Sequence, residues 1–559
     1  MEQIATLSIK PLTRLRNMLK VDKKDITQVY VYALFNGMVT LSLPLGIQAI
    51  VNLIQGGSMS TAWVILVSVV LLGVLLTGIF QLLQLRIVEN LSQKIFSRAA
   101  FEFAYRIPRI KSSALHKYYA PELTNRFFDT MTIQKGLPKI LIDFSLALFQ
   151  IVVGLFVLSF YHSFFVLYSI ILIVLIYVII AFTGPKGVRT SLKESSTKYK
   201  IAFWLEEIAR TKLSFKLMGD SDLDLKKSDE NVSDYLEARE SHFKVLVNQF
   251  SYLVAFKVLI AAGLLITGGI LVFEQQMNIG QFVAAEIIII LILASVEKLI
   301  TTLDSIYDVL AALEKIGYVT DMPLDYGGQM TIDTSEGIDI NVENLCYNYP
   351  DRQERILKNL NFDLPRNESA VITGPSGSGK STLIQLLAGI SEPSSGLVRF
   401  NDMPLKTINK DNMNACVGFS LSDNDVFQGS ILDNIVMGRD YVSLTDVKNA
   451  IKIAEIDGFV RSQEEGLYTI IDPEGSRIPR SVRNKLLLAR AIAPNPKLLI
   501  LEDPLDHLNR RDKESVIKNL TASDKPWHII VATVDEIWKQ YVQKHIVLDQ
   551  GEIMEIKFK

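Results

Sequence analysis

Nine consecutive residues, Gly374-Pro375-Ser376-Gly377-Ser378-Gly379-Lys380-Ser381-Thr382, carry the spacing G-x-x-x-x-G-K-S/T, which is that of a phosphate-binding loop. Glycine at such positions lets successive backbone N–H groups converge on phosphate oxygens, at the positive end of the helix that follows. Lys380 is placed to reach the β- and γ-phosphates, and the Ser381 hydroxyl to sit on Mg²⁺. A strand-like run (Ala370–Thr373) precedes the loop and an amphipathic stretch (Leu383–Ala388) follows it. That strand–loop–helix setting is the context the pattern needs. The expected ligand is a nucleoside triphosphate.

Such a loop requires an α/β domain, and only the second half of the chain has the composition for one. Near residue 320 long apolar runs give way to mixed strands, turns and charges. In the first half six segments are long enough to cross a bilayer as helices: Val29–Leu53, Ala62–Leu85, Ile140–Phe160, Ser163–Phe182, Tyr252–Phe273 and Gln281–Thr302. A soluble core helix keeps a polar face, whereas Ala62–Gly78 and Ile287–Ala294 have almost none. The turns Ile54–Thr61, Tyr161–His162 and Glu274–Ile279 contain no lysine or arginine, while the connections 86–138 and 184–251 are rich in both. The positive-inside bias therefore puts the long connections and the N-terminus in the cytoplasm, and six spans return the chain to that side. Long structureless loops are improbable, and Arg86–Lys111 and Leu192–Leu217 keep helical periodicity. Two helical hairpins are expected, with contact tips at Tyr119–Phe128 and Tyr199–Arg210. The expected division is a cytoplasmic N-terminal segment (1–24), a six-span domain (25–321), a linker (322–336) and a soluble α/β domain (337–559).

Other classes are disfavoured. A net charge of −2 leaves no basic surplus to neutralise nucleic acid. Cys346 and Cys416 lack a C-x-x-C neighbour and read as reduced thiols. The polar, charged stretch Met1–Lys24 does not read as a cleavable signal peptide. Lys257 and Glu286 fall inside spans, where ionisable groups usually face an interior or a cavity. For Glu286 a substrate contact, a buried pair and a partner contact all remain open.

With loop and spans in place, nearly the whole chain resembles a half-transporter of the ATP-binding-cassette (ABC) exporter family. Tyr349 stands where that family places an aromatic residue that stacks on adenine. Val426–Ile435 is similar to the segment after the family's glutamine loop, and Leu487–Ala491 to the helix after its signature motif. Lys497–Asp503 is similar to the strand bearing two acidic residues, and Asp549–Glu552 to the closing hairpin. The resemblance implies an all-α six-helix transmembrane domain followed by an α/β nucleotide-binding domain. It also implies head-to-tail dimers in which each ATP–Mg²⁺ lies between one chain's phosphate loop and the other chain's signature.

Several motif positions depart from the family. The loop glutamine is Ser422, and the signature L-S-G-G-Q reads Ile478-Pro479-Arg480-Ser481-Val482. The acidic pair is reversed as Glu502-Asp503, the histidine position is Thr533, and the serine and aspartate beyond the acidic pair are Asp506 and Asn509. By family analogy residue 502 holds Mg²⁺ together with Ser381, and residue 503 orients the attacking water. Taken as successive strand residues, the two point to opposite faces and cannot simply exchange roles. Asp503 has about 1.5 Å less reach than glutamate, and a misplacement near 1 Å costs on the order of a hundredfold in rate. Pro479 offers neither hydroxyl nor N–H to a partner's nucleotide. Arg480 either supplies a cation in compensation or blocks the close backbone approach that glycine permits, and blocking is favoured.

The expectation is a chain that binds ATP and hydrolyses it poorly at its own site, as a dimer-forming exporter subunit. The alternative is a regulatory or scaffolding pseudo-ATPase within a heterodimer. A heterodimer preserves one good set of hydrolytic residues and is favoured, while a homodimer stays open. The stretch Asn278–Glu286 is similar to one in bacterial peptide and protein exporters, including those of type I secretion. That likeness implies a bacterial inner-membrane location, a peptide or protein cargo and a periplasmic adaptor as a further partner.

Overall fold

The structure, a computed structural model, describes residues 10–55, 61–116, 118–350, 354–422 and 425–559. The contacts divide the chain into two units, Met1–Pro108 with Tyr118–Met322, and Arg109–Lys117 with Pro323–Lys559.

Six long helical segments build the first unit: Lys23–Gln55, Thr61–Arg109, Ala120–Leu158, Ser163–Arg210, Leu223–Phe273 and Ile279–Thr320. Five of the six expected spans lie within one of them, and Ile140–Phe160 runs two residues past the end of Ala120–Leu158. A bilayer core needs only ~20 helical residues, so the 51-residue segment Leu223–Phe273, roughly 75 Å long, continues far past its apolar run. Those continuations are the helical connections expected from sequence. Leu71, Leu72, Leu75 and Leu82 are exposed along the second segment, as a lipid-facing surface requires. Buried residues concentrate on the last segment, from Gly280 to Val319, which packs against several of the others.

Local chemistry sets the helix ends. Asn278 accepts from Gln281 N (2.7 Å) while Gln281 Oε1 accepts from Asn278 N (2.9 Å), a reciprocal capping box. His162 Nδ1 accepts from Phe164 N at 3.2 Å, starting the fourth segment after a tight turn. Pro138 is followed by a π-helical stretch, Lys139–Phe144, where its missing N–H loosens the ladder. The turn expected at Ile54–Thr61 falls largely outside the described residues.

The hairpin tips lie elsewhere than expected. Tyr199–Arg210 is uninterrupted helix, and the chain reverses at Thr211–Asp222 around the short helix Lys212–Lys216. The other reversal falls at residues 107–119, before Tyr119–Phe128, most of which is already helical again. Helical periodicity continues through these ends, so it does not mark where the turns fall. Lys257 bonds Glu297, not Glu286, with Nζ 2.5 Å from Oε2.

The second unit contains a six-stranded sheet and a smaller antiparallel one. The large sheet orders its strands as Glu552–Phe558, Lys544–Asp549, Ala370–Thr373, His528–Ala532, Leu498–Glu502 and Val417–Ser420. All are parallel except the first, which returns through a hairpin. Alternate residues serve two separate cores. Val371, Leu499, Leu501, Ile529 and Val531 pack on one face, with the helix Arg480–Ile492. Ile372, Leu498, Ile500, Ile530 and Ala532 pack on the other, with Leu383–Leu387 and the strand Ile340–Tyr347 of the small sheet. Burial on both faces explains why these strands read as continuous apolar runs. Cys346 and Cys416 are free thiols.

Candidate functional site

Four neighbouring parallel strands end on one edge of the large sheet, and the candidate residues follow their carboxyl ends. In register, Ile372 lies beside Ala532 and Ala532 beside Glu502, while Ser420 lies beside Leu501. The phosphate loop therefore leaves one strand, Thr533 the next, Asp503 the third and Ser422 the fourth. Ligands of open parallel sheets bind at such carboxyl edges.

The loop itself has the backbone its glycines permit. Gly374, Gly377 and Gly379 adopt φ of +155°, +82° and +100°, values L side chains rarely take. A Cβ on Gly374 would fall 1.9 Å from Leu548 O, and one on Gly379 2.6 Å from a Leu357 methyl. Gly379 then caps the helix Lys380–Leu387. Lys380 Nζ donates to Gly374 O and Pro375 O, both at 2.8 Å, so the ammonium lies across the loop. Burial lowers its pKa from the usual lysine value, and the charges of Asp503 and Glu502 work against that. Ser376 is exposed beside Gly377, and Ser381 is exposed on the first helical turn. Ser378 Oγ is buried without a partner, a donor left over for an anion seated in the loop. The residues present thus fit a triphosphate.

Tyr349 is placed beside this loop: its Oη lies 3.3 Å from Thr382 Oγ1. Tyr347 and His116 meet its ring edge-on at centroid distances of 5.2 and 5.1 Å. His116 belongs to the excursion 109–117, and nothing in the sequence marks it as a neighbour of a residue so distant.

The carboxylates differ from expectation in one respect. The strand ends at Glu502, and Asp503 takes a left-handed backbone, φ +37°, with its N–H on Ala532 O at 2.9 Å. Strand alternation therefore does not separate the two side chains; a turn does. Asp tolerates that conformation better than most residues. Glu502 is buried and accepts from Ser422 Oγ at 2.7 Å and Ser422 N at 3.2 Å. The residue expected in the glutamine position is therefore bonded directly to the one expected to bind metal. Thr533 is buried, and its Oγ1 accepts from Asp535 N at 3.1 Å, so its hydroxyl serves a local turn.

The expected signature positions, 478–482, are not part of this cluster. Pro479 precedes the helix Arg480–Ile492, with Ile478 half-buried and Arg480 exposed. Among the described residues no hydrogen bond or ion pair joins 478–482 to the phosphate loop. Ser481 and Val482 line a separate cleft of about 180 Å³ with Lys485, Asn509 and Asp512. Asn509 caps the helix Arg510–Leu520, accepting from Asp512 N at 2.9 Å.

Arg490 is a positioning residue that motif matching uses only as a landmark. Its buried guanidinium donates to Asn434 O (2.7 Å), Asp425 O (2.9 Å) and Asn434 Oδ1 (3.0 Å). It ties the segment after Ser422 to the signature helix. Burial, reinforced by Arg439, pulls its pKa down to about 10. The available signal was a lone cation inside the apolar run Leu486–Ala493.

A helical membrane unit followed by a P-loop domain of this topology is the architecture of an ABC exporter, and the comparisons agree. Residues 28–296 match the ABC transporter transmembrane region and residues 357–506 the ABC transporter family. The chain belongs to the ABC transporter family, as an exporter-type protein with a membrane domain and a nucleotide-binding domain. It is 22% identical over 492 residues to the lactococcin-A transport/processing ATP-binding protein LcnC of Lactococcus lactis subsp. lactis, covering 87% of this chain and 68% of the relative. It is 28% identical over 289 residues to the alpha-hemolysin translocation ATP-binding protein HlyB of Escherichia coli, a match spanning 52% of this chain and 41% of that relative. The solved structure of a bacterial Atm1-family ABC exporter with ATP bound superposes with a TM-score of 0.81 at 17% identity. The match covers 96% of this chain and 95% of that one. The protein is integral to a membrane, and half-transporters of its family typically dimerise.

Proposed function

We propose that this chain is one half of a dimeric bacterial exporter that binds ATP and hydrolyses it poorly at its own site. The observation that carries this is the composition of the sheet edge. An intact phosphate loop stands beside Asp503, Thr533 and a Ser422–Glu502 pair held at 2.7 Å.

Binding follows from the loop. Its N–H groups and Lys380 compensate phosphate charge, Ser376 and Ser378 add hydroxyl donors, and Tyr349 offers a face for the base. Ser381 and Glu502 are the residues that would hold Mg²⁺, which would supply positive charge against the phosphates. Hydrolysis requires in addition a group that orients water and one that stabilises the γ-phosphate as charge develops. Asp503 reaches about 1.5 Å less far than glutamate, and Thr533 has no imidazole. A lost stabilising donor costs ~10²–10³ in rate. Pro479 and Arg480 alter what the chain presents to a partner's nucleotide; a heterodimer is favoured because it keeps one good set of hydrolytic residues. A regulatory subunit that binds ATP without turning it over is the second reading, supported by the same residues.

The relatives' names, transport of lactococcin and translocation of alpha-hemolysin, support a peptide or protein cargo. We further place the chain in a bacterial inner membrane with a periplasmic adaptor as partner, on the likeness of Asn278–Glu286 to such exporters. Lysine- and arginine-poor turns against basic connections support a cytoplasmic N-terminus and ATP-binding domain.

The test is ATP binding and turnover by the full chain in lipid nanodiscs, with Lys380→Ala as blank. Binding that disappears in Lys380→Ala, with weak turnover of the chain alone, is expected. Turnover at the rate of an ordinary exporter would overturn the impaired-site reading, and absent ATP binding would overturn the function.

A further inference from the structure

Far from the phosphate loop in sequence, three helices of the membrane unit close on one histidine. His242, on the helix Leu223–Phe273, is 1% exposed. Asp304 and Asp308, one turn apart on the helix Ile279–Thr320, lie beside it. One ligand atom from each of the three residues falls within 4.8 Å of the others.

Thr190, on the helix Ser163–Arg210, holds the far side of the ring. Its Oγ1 lies 3.0 and 3.1 Å from Lys186 O and Gly187 O, which can accept its single proton. The same oxygen is 2.8 Å from His242 Nδ1. When that proton goes to a carbonyl, the hydroxyl oxygen accepts from Nδ1–H, which selects the ring tautomer with its proton on Nδ1. In the neutral ring Nε2 is then a bare lone pair, 3.3 Å from Asp304 Oδ1. In that tautomer two acceptors face each other with a second carboxylate alongside, an arrangement that a cation between them satisfies. One proton on Nε2 would balance only one of the two carboxylates. The nearby Arg239 is already engaged by Glu194 at 3.0 Å. A divalent cation balances both.

The 3.3 Å between His242 Nε2 and Asp304 Oδ1 suits such an ion. Two atoms each about 2.1 Å from a common metal, at tetrahedral or octahedral angles, are roughly 3.0–3.4 Å apart. One imidazole nitrogen with two carboxylates selects the Zn²⁺, Mn²⁺, Co²⁺ and Fe²⁺ class over Mg²⁺ or Ca²⁺, which prefer all-oxygen shells. The ring is also held as a ligand's ring is held, by an outer partner on its far nitrogen. Tyr307 packs edge-on against it at 6.2 Å. Gly187 leaves room for Tyr307, since a Cβ there would lie 2.4 Å from its ring. Gln249 fixes the Tyr307 hydroxyl at 2.8 Å and reaches Thr183 at 2.9 Å.

The geometry points to a divalent transition-ion site built from His242 Nε2, Asp304 and Asp308, with Thr190 orienting the imidazole. The ion clasps the fifth and sixth helical segments together, and the fourth sets its ligand. It is independent of the nucleotide site.

The full chain, nucleotide-free and stripped with EDTA in nanodiscs, is titrated with Zn²⁺ against a chelating indicator. Co²⁺ absorption reads the ligand field in parallel. One ion per chain is expected, lost in Asp304→Asn and in Asp308→Asn, whose exposed side chain disturbs packing least. Thr190→Val is expected to weaken binding ~10–100-fold. ATP binding serves as the folding control and stays unchanged. No Zn²⁺ bound by the native chain, or equal binding by the native chain and both Asn variants, sinks the proposal. In the first case the His242 ring and Asp304 are joined by a hydrogen bond alone.

Discussion

At the scale of single residues, the proposed reading separates binding from turnover at the sheet edge. Asp503→Glu with Thr533→His is expected to raise turnover of this chain by up to on the order of a hundredfold, measured as phosphate release in nanodiscs. A flat rate would locate the limit at Ser422 or the signature instead. Glutamate at a backbone of φ +37° is less at ease than aspartate, so the gain is expected to come with a small loss of stability. His528 supplies a pH test. It is buried with neither ring nitrogen partnered, and burial pulls its pKa down to about 4 from 6.5. As pH falls below 6.5 the unfolded chain takes up this proton first, so the fold loses stability through that window. Near pH 5 the loss is about 2 kcal/mol. Thermal melts at pH 7 and pH 5 should differ less for His528→Leu than for the native chain, and an equal difference would acquit the histidine. Legibility at this scale was uneven. The P-loop was complete in sequence because its chemistry is contiguous. The Ser422–Glu502 bond and the Arg490 anchor were not, because they join residues 80 and 56 positions apart.

Elements were more legible than their ends. Apolar length marked all six spans, since a bilayer demands length and hydrophobicity and little else. Periodicity also foresaw that the connections are helical, but it placed both hairpin tips wrongly, because amphipathic pattern continues where hydrogen bonding stops. What periodicity cannot show is how closely two helices approach. Gly136 packs where a Cβ would meet a Val309 methyl at 2.3 Å. Gly136→Ala should therefore destabilise the membrane unit by about 1–3 kcal/mol, and Val309→Ala in the same chain should relieve part of that loss. A melting series in detergent checks both. Additive losses in the double variant would mean the helices adjust independently.

For the whole molecule, the proposed reading turns on what a second chain supplies. If a partner contributes the working hydrolytic residues, Asp503→Asn should lower the turnover of the purified assembly little. An abolished rate would show that this chain's own site does the chemistry. The division into a membrane half and a soluble half was legible from composition alone. The assignment of residues 109–117 to the soluble unit was not, since that stretch sits between two membrane helices in sequence. It has a consequence for synthesis. Ile110 pairs with Leu324, Lys111 N–H bonds Pro323 O, and His116 meets Tyr349. When residues 109–117 leave the ribosome, some two hundred residues must still be made before their partners exist. The soluble unit cannot be completed in the order it is translated. Its first piece has to wait at the membrane while four more spans are threaded, so late translation and insertion together set when an ATP-binding unit first exists.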